Sequence, residues 1–206
     1  MITFDDVTFI YDGKPLIEHF SYSVKEGEKA VLFGPSGQGK STLLTSIAGF
    51  IRPSSGTIKV MGYPVVPLHI NEIRKNIAWL PQEFYLPFET VKEMIESPFR
   101  LRSNRNNLPA KSVLMEYFDS LTLEHNVYTK RPSEISGGQR QRVMLIITAL
   151  LKKKIVLLDE PTSALDHESV DRTVNFINDK MNATVVMVSH DSRFIESFGQ
   201  KIKIGD

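Results

Sequence analysis

The stretch GPSGQGKS, Gly34 to Ser41, places three glycines, a lysine and a terminal hydroxyl within eight residues and fits G-x-x-x-x-G-K-[ST]. Glycines let the backbone curl so that successive N–H groups point inward at phosphate oxygens. A helix start at this point adds partial positive charge. In such a loop Lys40 reaches the β- and γ-phosphates, and the Ser41 hydroxyl is placed to ligate Mg²⁺. A second candidate lies far downstream, where the apolar run Ile155-Val156-Leu157-Leu158 ends in Asp159-Glu160. Carboxylates at the end of a buried strand are costly unless a cation is near. Beside a phosphate loop that cation is Mg²⁺, which Asp159 would approach. Glu160 would then polarise a water for in-line attack on the γ-phosphate, a role that requires reach. The plainer alternative is a strand cap followed by the turn Glu-Pro-Thr. A third candidate is Ser136-Gly137-Gly138-Gln139, small residues directly before a long apolar-rich segment. It reads as a further helix start able to receive an anion.

These groups need elements to hold them. Ile2, Phe4, Val7 and Phe9 alternate as in a strand, with turn chemistry at Asp12-Gly13. LIEHFSYSV and KAVLF follow as two more strands separated by KEGE. The helix STLLTSIAGF comes after the glycine loop, then a hairpin-like pair in SGTIKVMGYPV and the short strand NIAWL, ending at Pro81. From about residue 89 to 131 strand-like runs disappear. TVKEMIES, KSVLMEYFDSL and LEHNVY are expected to form short helices, so the segment reads as a helical insert. Beyond it, helix GGQRQRVMLIITALL, strand KKKIVLLD, helix ESVDRTVNFINDKM, strand TVVMVSH, helix SRFIESF and edge strand KIKIG alternate. That alternation predicts parallel pairing through crossovers.

Composition limits the function. The 206 residues suit one domain, or one with an inserted subdomain; 41% are hydrophobic and 24% charged, as in ordinary globular proteins. Lys and Arg total 25 against 24 Asp and Glu, and a net charge of +1 gives no basic surface for nucleic acid. There are no cysteines, which excludes disulfides, thiolate metal sites and thiol nucleophiles. The start MITFDDVTFIYDG reads as a strand and not as a signal peptide, and VMLIITALL is too short to span a membrane. An intracellular location follows as the expectation.

Taken in order, Gly34–Ser41, Ser136–Gln139 and Ile155–Glu160 resemble the ATP-binding cassette (ABC) ATPases, whose signature motif is SGGQ. Ile135 stands where the signature usually has leucine. Further residues are similar to the family's remaining motifs. Gln82 resembles the Q-loop glutamine, Ser163-Ala164-Leu165-Asp166 the D-loop, and His190 the switch histidine. Tyr11 stands where an aromatic stacks on adenine, although an aromatic at a strand end also serves packing. Asp166 could equally cap a helix. Thr148 occupies a position where the family commonly carries arginine, and local repacking is expected there. The resemblance runs over essentially the whole chain.

It implies an α/β fold: a P-loop NTPase core with a mainly parallel sheet, an N-terminal antiparallel β subdomain and an inserted α-helical subdomain. Residues 1–88 and 132–206 would form the core and β subdomain of one ABC ATPase domain, and about 89–131 the helical subdomain. It implies ATP and Mg²⁺ as cofactors. The nucleotide contacts would be Tyr11, Gly34, Pro35, Ser36, Gly37, Gln38, Gly39, Lys40, Ser41 and Thr42, with Ser136, Gly137, Gly138, Gln139 and Asp166 contributed across a dimer. Ser41, Gln82 and Asp159 would serve Mg²⁺, and Lys40, Gln82, Glu160 and His190 would carry catalysis. Two cassettes would pair head to tail, ATP on Gly34–Ser41 of one being covered by Ser136–Gln139 of the other. The expected partners are a second ABC ATPase subunit, most simply a second copy, and an integral membrane transporter subunit at the cytoplasmic face, with no nucleic acid. The apolar cluster Phe84, Tyr85, Leu86 and Phe88 would line the docking groove for that subunit or serve as helix-packing core. Arg131-Pro132 before the signature is more similar to stand-alone cassettes of importers or of lipoprotein and small-peptide systems than to fused exporter cassettes; a small metal- or ion-efflux cassette also fits the brevity. A soluble ABC ATPase of DNA repair or translation is the alternative within the family, against which stand the missing coiled coil and zinc cysteines. A P-loop GTPase switch is the alternative outside it, but Tyr128-Thr129-Lys130-Arg131 lacks the aspartate of a guanine-reading motif.

Overall fold

The computed structural model describes residues 1–83, 87–105 and 107–205. Strands β1 (Ile2–Tyr11) and β2 (Lys14–Val24) form an antiparallel hairpin. Asp12 and Gly13 both take positive φ, 49° and 73°, the primed turn whose twist matches the flanking strands. Strand β4 (Ser55–Val60) pairs with β1, and the two-residue β5 (Tyr63–Pro64) with β4. The four make an antiparallel sheet of order β2-β1-β4-β5.

A second sheet has the order β6-β7-β8-β3-β9 and every pairing in it is parallel. Its strands are β3 (Lys29–Phe33), β6 (Ile77–Leu80), β7 (Ile155–Asp159), β8 (Thr184–Val188) and β9 (Gln200–Lys203). β7 and β8 are buried along their whole length, as parallel strands covered on both faces must be. Alternation divides their side chains between two cores. Val156, Leu158, Val185 and Met187 face the one filled by α3 (Val91–Glu96), α4 (Lys111–Ser120), α5 (Gly137–Leu150) and α6 (His167–Lys180). Ile155, Leu157, Val186 and Val188 face the other, shared with α1 (Lys40–Ile47) and the antiparallel sheet. The expected last-third alternation thus pairs in parallel, with KIKIG at an edge.

Between Glu89 and Arg131 the described residues contain helices and turns only. LEHNVY closes as a 3₁₀ turn, His125–Thr129, and not as an α-helix. One helix went unread: α2 (Ile70–Lys75), between β5 and β6, buries a single side chain, Ile73, so its apolar period is too faint to see. Chain order ends with α7 (Ser192–Glu196) before β9. Of the expected apolar cluster, Phe84, Tyr85 and Leu86 lie outside the described residues, while Phe88 is half-buried against the helical core. Thr148 is buried and its hydroxyl donates to the Met144 carbonyl at 2.8 Å, satisfying itself within its own helix.

Candidate active site

Register sets the site. Leu80 pairs with Leu158, Asp159 with Val188, and Val188 with Leu32. The four adjacent strands β6, β7, β8 and β3 therefore end level at their carboxyl ends, where ligands bind in open α/β sheets. The glycine loop follows β3, Gln82 follows β6, Glu160 follows β7 and His190 follows β8. Together they surround a cavity of about 420 Å³ lined by Ser36, Gly37, Gly39, Lys40, Ser41, Thr42, Gln82, Glu160 and His190, with Leu16 and Val188.

The loop bends because glycine allows it. Gly34 has φ 138°, and a Cβ there would lie 2.1 Å from the Ile204 carbonyl oxygen. Gly39 has φ 84° and begins α1, where a Cβ would press on Ile17 at 2.7 Å. Lys40 is buried, and its ammonium donates to the carbonyls of Gly34 at 3.0 Å and Pro35 at 2.6 Å. Gln38 stands apart from the cavity, and a Cβ on Gly205 would press on it at 3.0 Å. Burial pushes the Lys40 ammonium below the ordinary lysine value, with Glu160 and Asp159 pulling it back up.

Below the loop, Ser41 Oγ donates to Asp159 Oδ1 at 3.1 Å. Burial raises the Asp159 carboxyl above its ordinary value, against the Ser41 bond and the Lys40 charge. Glu160 is the most perturbed group. It is buried, its backbone sits in the left-handed region at φ 50°, and burial raises its carboxyl to about 7, with the His190 main chain opposing. Its Oε1 is buried without a hydrogen-bond partner, and His190 Nε2 lies 3.4 Å from it, long for a hydrogen bond. Burial, reinforced by Lys40, holds the His190 imidazole below its ordinary value and so neutral at pH 7.

The other expected contacts lie elsewhere. Tyr11 ends β1 with 71% of its surface exposed and does not line the cavity. Ser136 caps α5, its hydroxyl accepting from Gln139 N at 3.1 Å while Gln139 Oε1 accepts from Ser136 N at 2.9 Å. Gly137 and Gly138 form the first turn, and a Cβ on Gly138 would lie 2.9 Å from the Ala164 carbonyl. Asp166 caps α6 by accepting from Ser169 N at 2.8 Å. None of these lines the cavity. Sequence reasoning missed Leu16 and Val188, whose only signal was an apolar character common to the whole core. It also missed Gln141, whose polarity at a core-facing helix position was a usable sign.

Compared with known proteins, residues 17–163 match the family model described as ABC transporter. The chain belongs to the ABC transporter family. Among relatives, it is 35% identical over 215 residues to the glutamine transport ATP-binding protein GlnQ of Geobacillus stearothermophilus, covering 100% of this chain and 87% of that one. It is 30% identical over 194 residues to the probable iron export ATP-binding protein FetA of Escherichia coli K12, covering 93% and 85%. A dimeric, post-hydrolysis structure of the ATP-binding cassette MJ0796 bound to ADP and Pi superposes with a TM-score of 0.83 at 27% identity, over 99% of this chain and 94% of that one. This ABC transporter chain is accordingly an ATP-binding subunit and an ATPase. Its fold is that of an ABC cassette, as the motif order implied.

Proposed function

We propose that this ABC subunit hydrolyses ATP in the cavity at the strand ends, working as one half of a head-to-tail pair. What carries the reading is an asymmetry. Lys40, Ser41, Gln82, Glu160 and His190 gather around one cavity, while Ser136–Gln139 and Asp166 stay outside it. A capped helix start with small residues then serves a nucleotide on a second subunit. Gly34 to Thr42 cradle the triphosphate through main-chain N–H groups, and Lys40 pairs with its β- and γ-oxygens. Glu160 orients the attacking water, and neutral His190 steadies the γ-phosphate. Tyr11, exposed at a strand end, stacks on adenine.

Ser41 and Asp159 suit Mg²⁺. They are a hydroxyl and a carboxylate already in contact, and Glu160, whose Oε1 is buried without a partner, lines the cavity that Ser41 also lines. Among the described residues no cluster of three or more His, Asp or Glu encloses a metal. Mg²⁺ is commonly held by one or two carboxylates together with substrate phosphates. Gln82 would complete its surroundings. When bound, the ion neutralises charge on the β- and γ-oxygens.

Residues 1–88 and 132–206 act as core and β subdomain and 89–131 as helical subdomain of one ABC ATPase domain. No helix among the described residues is long and apolar enough to cross a membrane. An integral membrane subunit completes the transporter, with this chain at its cytoplasmic face, a reading supported by relatives that are transport ATP-binding proteins. A depression of about 570 Å³ lined by Phe88, Glu89, Thr90, Arg131, Pro132 and Ser133, just beyond Gln82, is our docking place for it. A membrane transporter is favoured over DNA repair because the relatives are transport subunits. Replacing Glu160 with Gln should leave ATP binding intact and yield an ATP-dependent dimer on gel filtration with turnover nearly abolished. Brisk turnover in that variant would remove Glu160 from its role.

A further inference from the structure

Gln141 is buried in α5 with 4% of its surface exposed, and its side-chain Nε2 donates to the main-chain carbonyl of Glu160 at 3.3 Å. A buried amide in a helix otherwise facing apolar core is costly unless it bonds. The acceptor it finds is the peptide of the residue whose backbone is most awkward in the site. Glu160 holds φ 50°, a conformation that costs a non-glycine residue energy and persists only where its surroundings over-determine it. Three bonds do so here. Glu160 N donates to Val188 O at 3.0 Å, and Glu160 O accepts from Ser163 N at 3.3 Å as well as from Gln141. Two of the three are main-chain bonds to the neighbouring strand and turn; the third comes from α5.

We infer that Gln141 is a positioning residue for Glu160, which ties the direction of that carboxylate to the helix carrying Ser136–Gln139. Gln141 follows Gly137, the first residue of α5, by just over one turn, about 6 Å. A displacement of that start therefore reaches the Glu160 peptide through one side chain in a rigid helix. When the helix start closes on the partner's nucleotide, it also sets the carboxylate of its own cavity. The two composite sites of a pair are then linked through each chain's α5. This inference rests on the water-orienting role proposed for Glu160.

Gln141→Met keeps the side chain's length and removes the donor. Turnover should fall about tenfold or more, as misplacing a catalytic group does, with the KM for ATP within about twofold of the parent. In a Glu160→Gln background, Gln141→Met should change neither the residual turnover nor the ATP-dependent dimer. A folded Gln141→Met chain with parental kcat, or a loss shared equally by KM, overturns the inference. So does a full tenfold loss persisting on Glu160→Gln. If Gln141→Met fails to fold, Gln141→Leu, which is close in size and has no donor, is read by the same criteria; parental kcat there is equally decisive against it. An inactive Glu160→Gln beside a fully active Gln141→Met sinks this inference alone, whereas an active Glu160→Gln sinks the reading beneath it.

Discussion

At Glu160, a backbone in the left-handed region presents a carboxyl that burial has raised to about 7. A group meant to orient water must be ionised, so turnover of the free enzyme should rise with pH through about 7 and fade below it, as a pH series of kcat/KM will show. The stability effect runs the other way. Between about pH 4.5, the ordinary value, and about 7, the folded chain keeps a proton that the unfolded chain has lost, so the Glu160 share of stability falls as pH rises. Glu160→Gln, which imitates the protonated form, should therefore raise the melting temperature more at pH 8 than at pH 5. An acid limb with its midpoint near the ordinary value, together with a constant melting difference, would contradict the perturbed environment. The residues that carry this chemistry were legible because their motifs are local. The perturbation was not, because it comes from packing by elements distant in sequence.

Helix α5 is the element that binds the parts together. Gln141 turns to the core, while the adjacent Arg142 turns the other way. Arg142 Nε donates to Gly138 O at 3.2 Å, and its Nη1 to Leu121 O at 3.0 Å and, more loosely, to Thr122 O at 3.5 Å. The latter two carbonyls lie just past the end of α4, so one side chain fastens the insert to the start of the signature helix. Arg142→Met removes these donors and leaves carbonyls short of partners, which should cost about 2 kcal/mol in denaturant unfolding. Nucleotide-dependent stabilisation should persist, because Arg142 does not line the cavity. A loss near zero would mean the fastening is idle. The length and type of α5 were readable from its capping residues and apolar content. Its two consecutive polar anchors were not, since helix period alone does not say which carbonyls await them.

Across the whole molecule, the placement of Ser136–Gln139 outside the cavity points to a pair as the working unit. Ser136→Arg protein mixed with Lys40→Ala protein tests this. Each alone forms pairs in which both sites are defective. A mixed pair carries both defects in one composite site and neither in the other, so activity should return on mixing. Failure of any activity to return, with both variants folded, would count against the trans arrangement.

From its sequence alone this chain could be assigned to its family, its alternating final third, its phosphate loop and its acidic strand end. Those features are written in contiguous residues, whose spacing obeys backbone geometry. Only the tertiary structure decided that four strands end level, that Oε1 of Glu160 is buried without a partner, and that an amide from α5 grips the Glu160 peptide. Strand register, burial and side-chain direction depend on elements tens of residues apart packing at once, and no local pattern records that outcome.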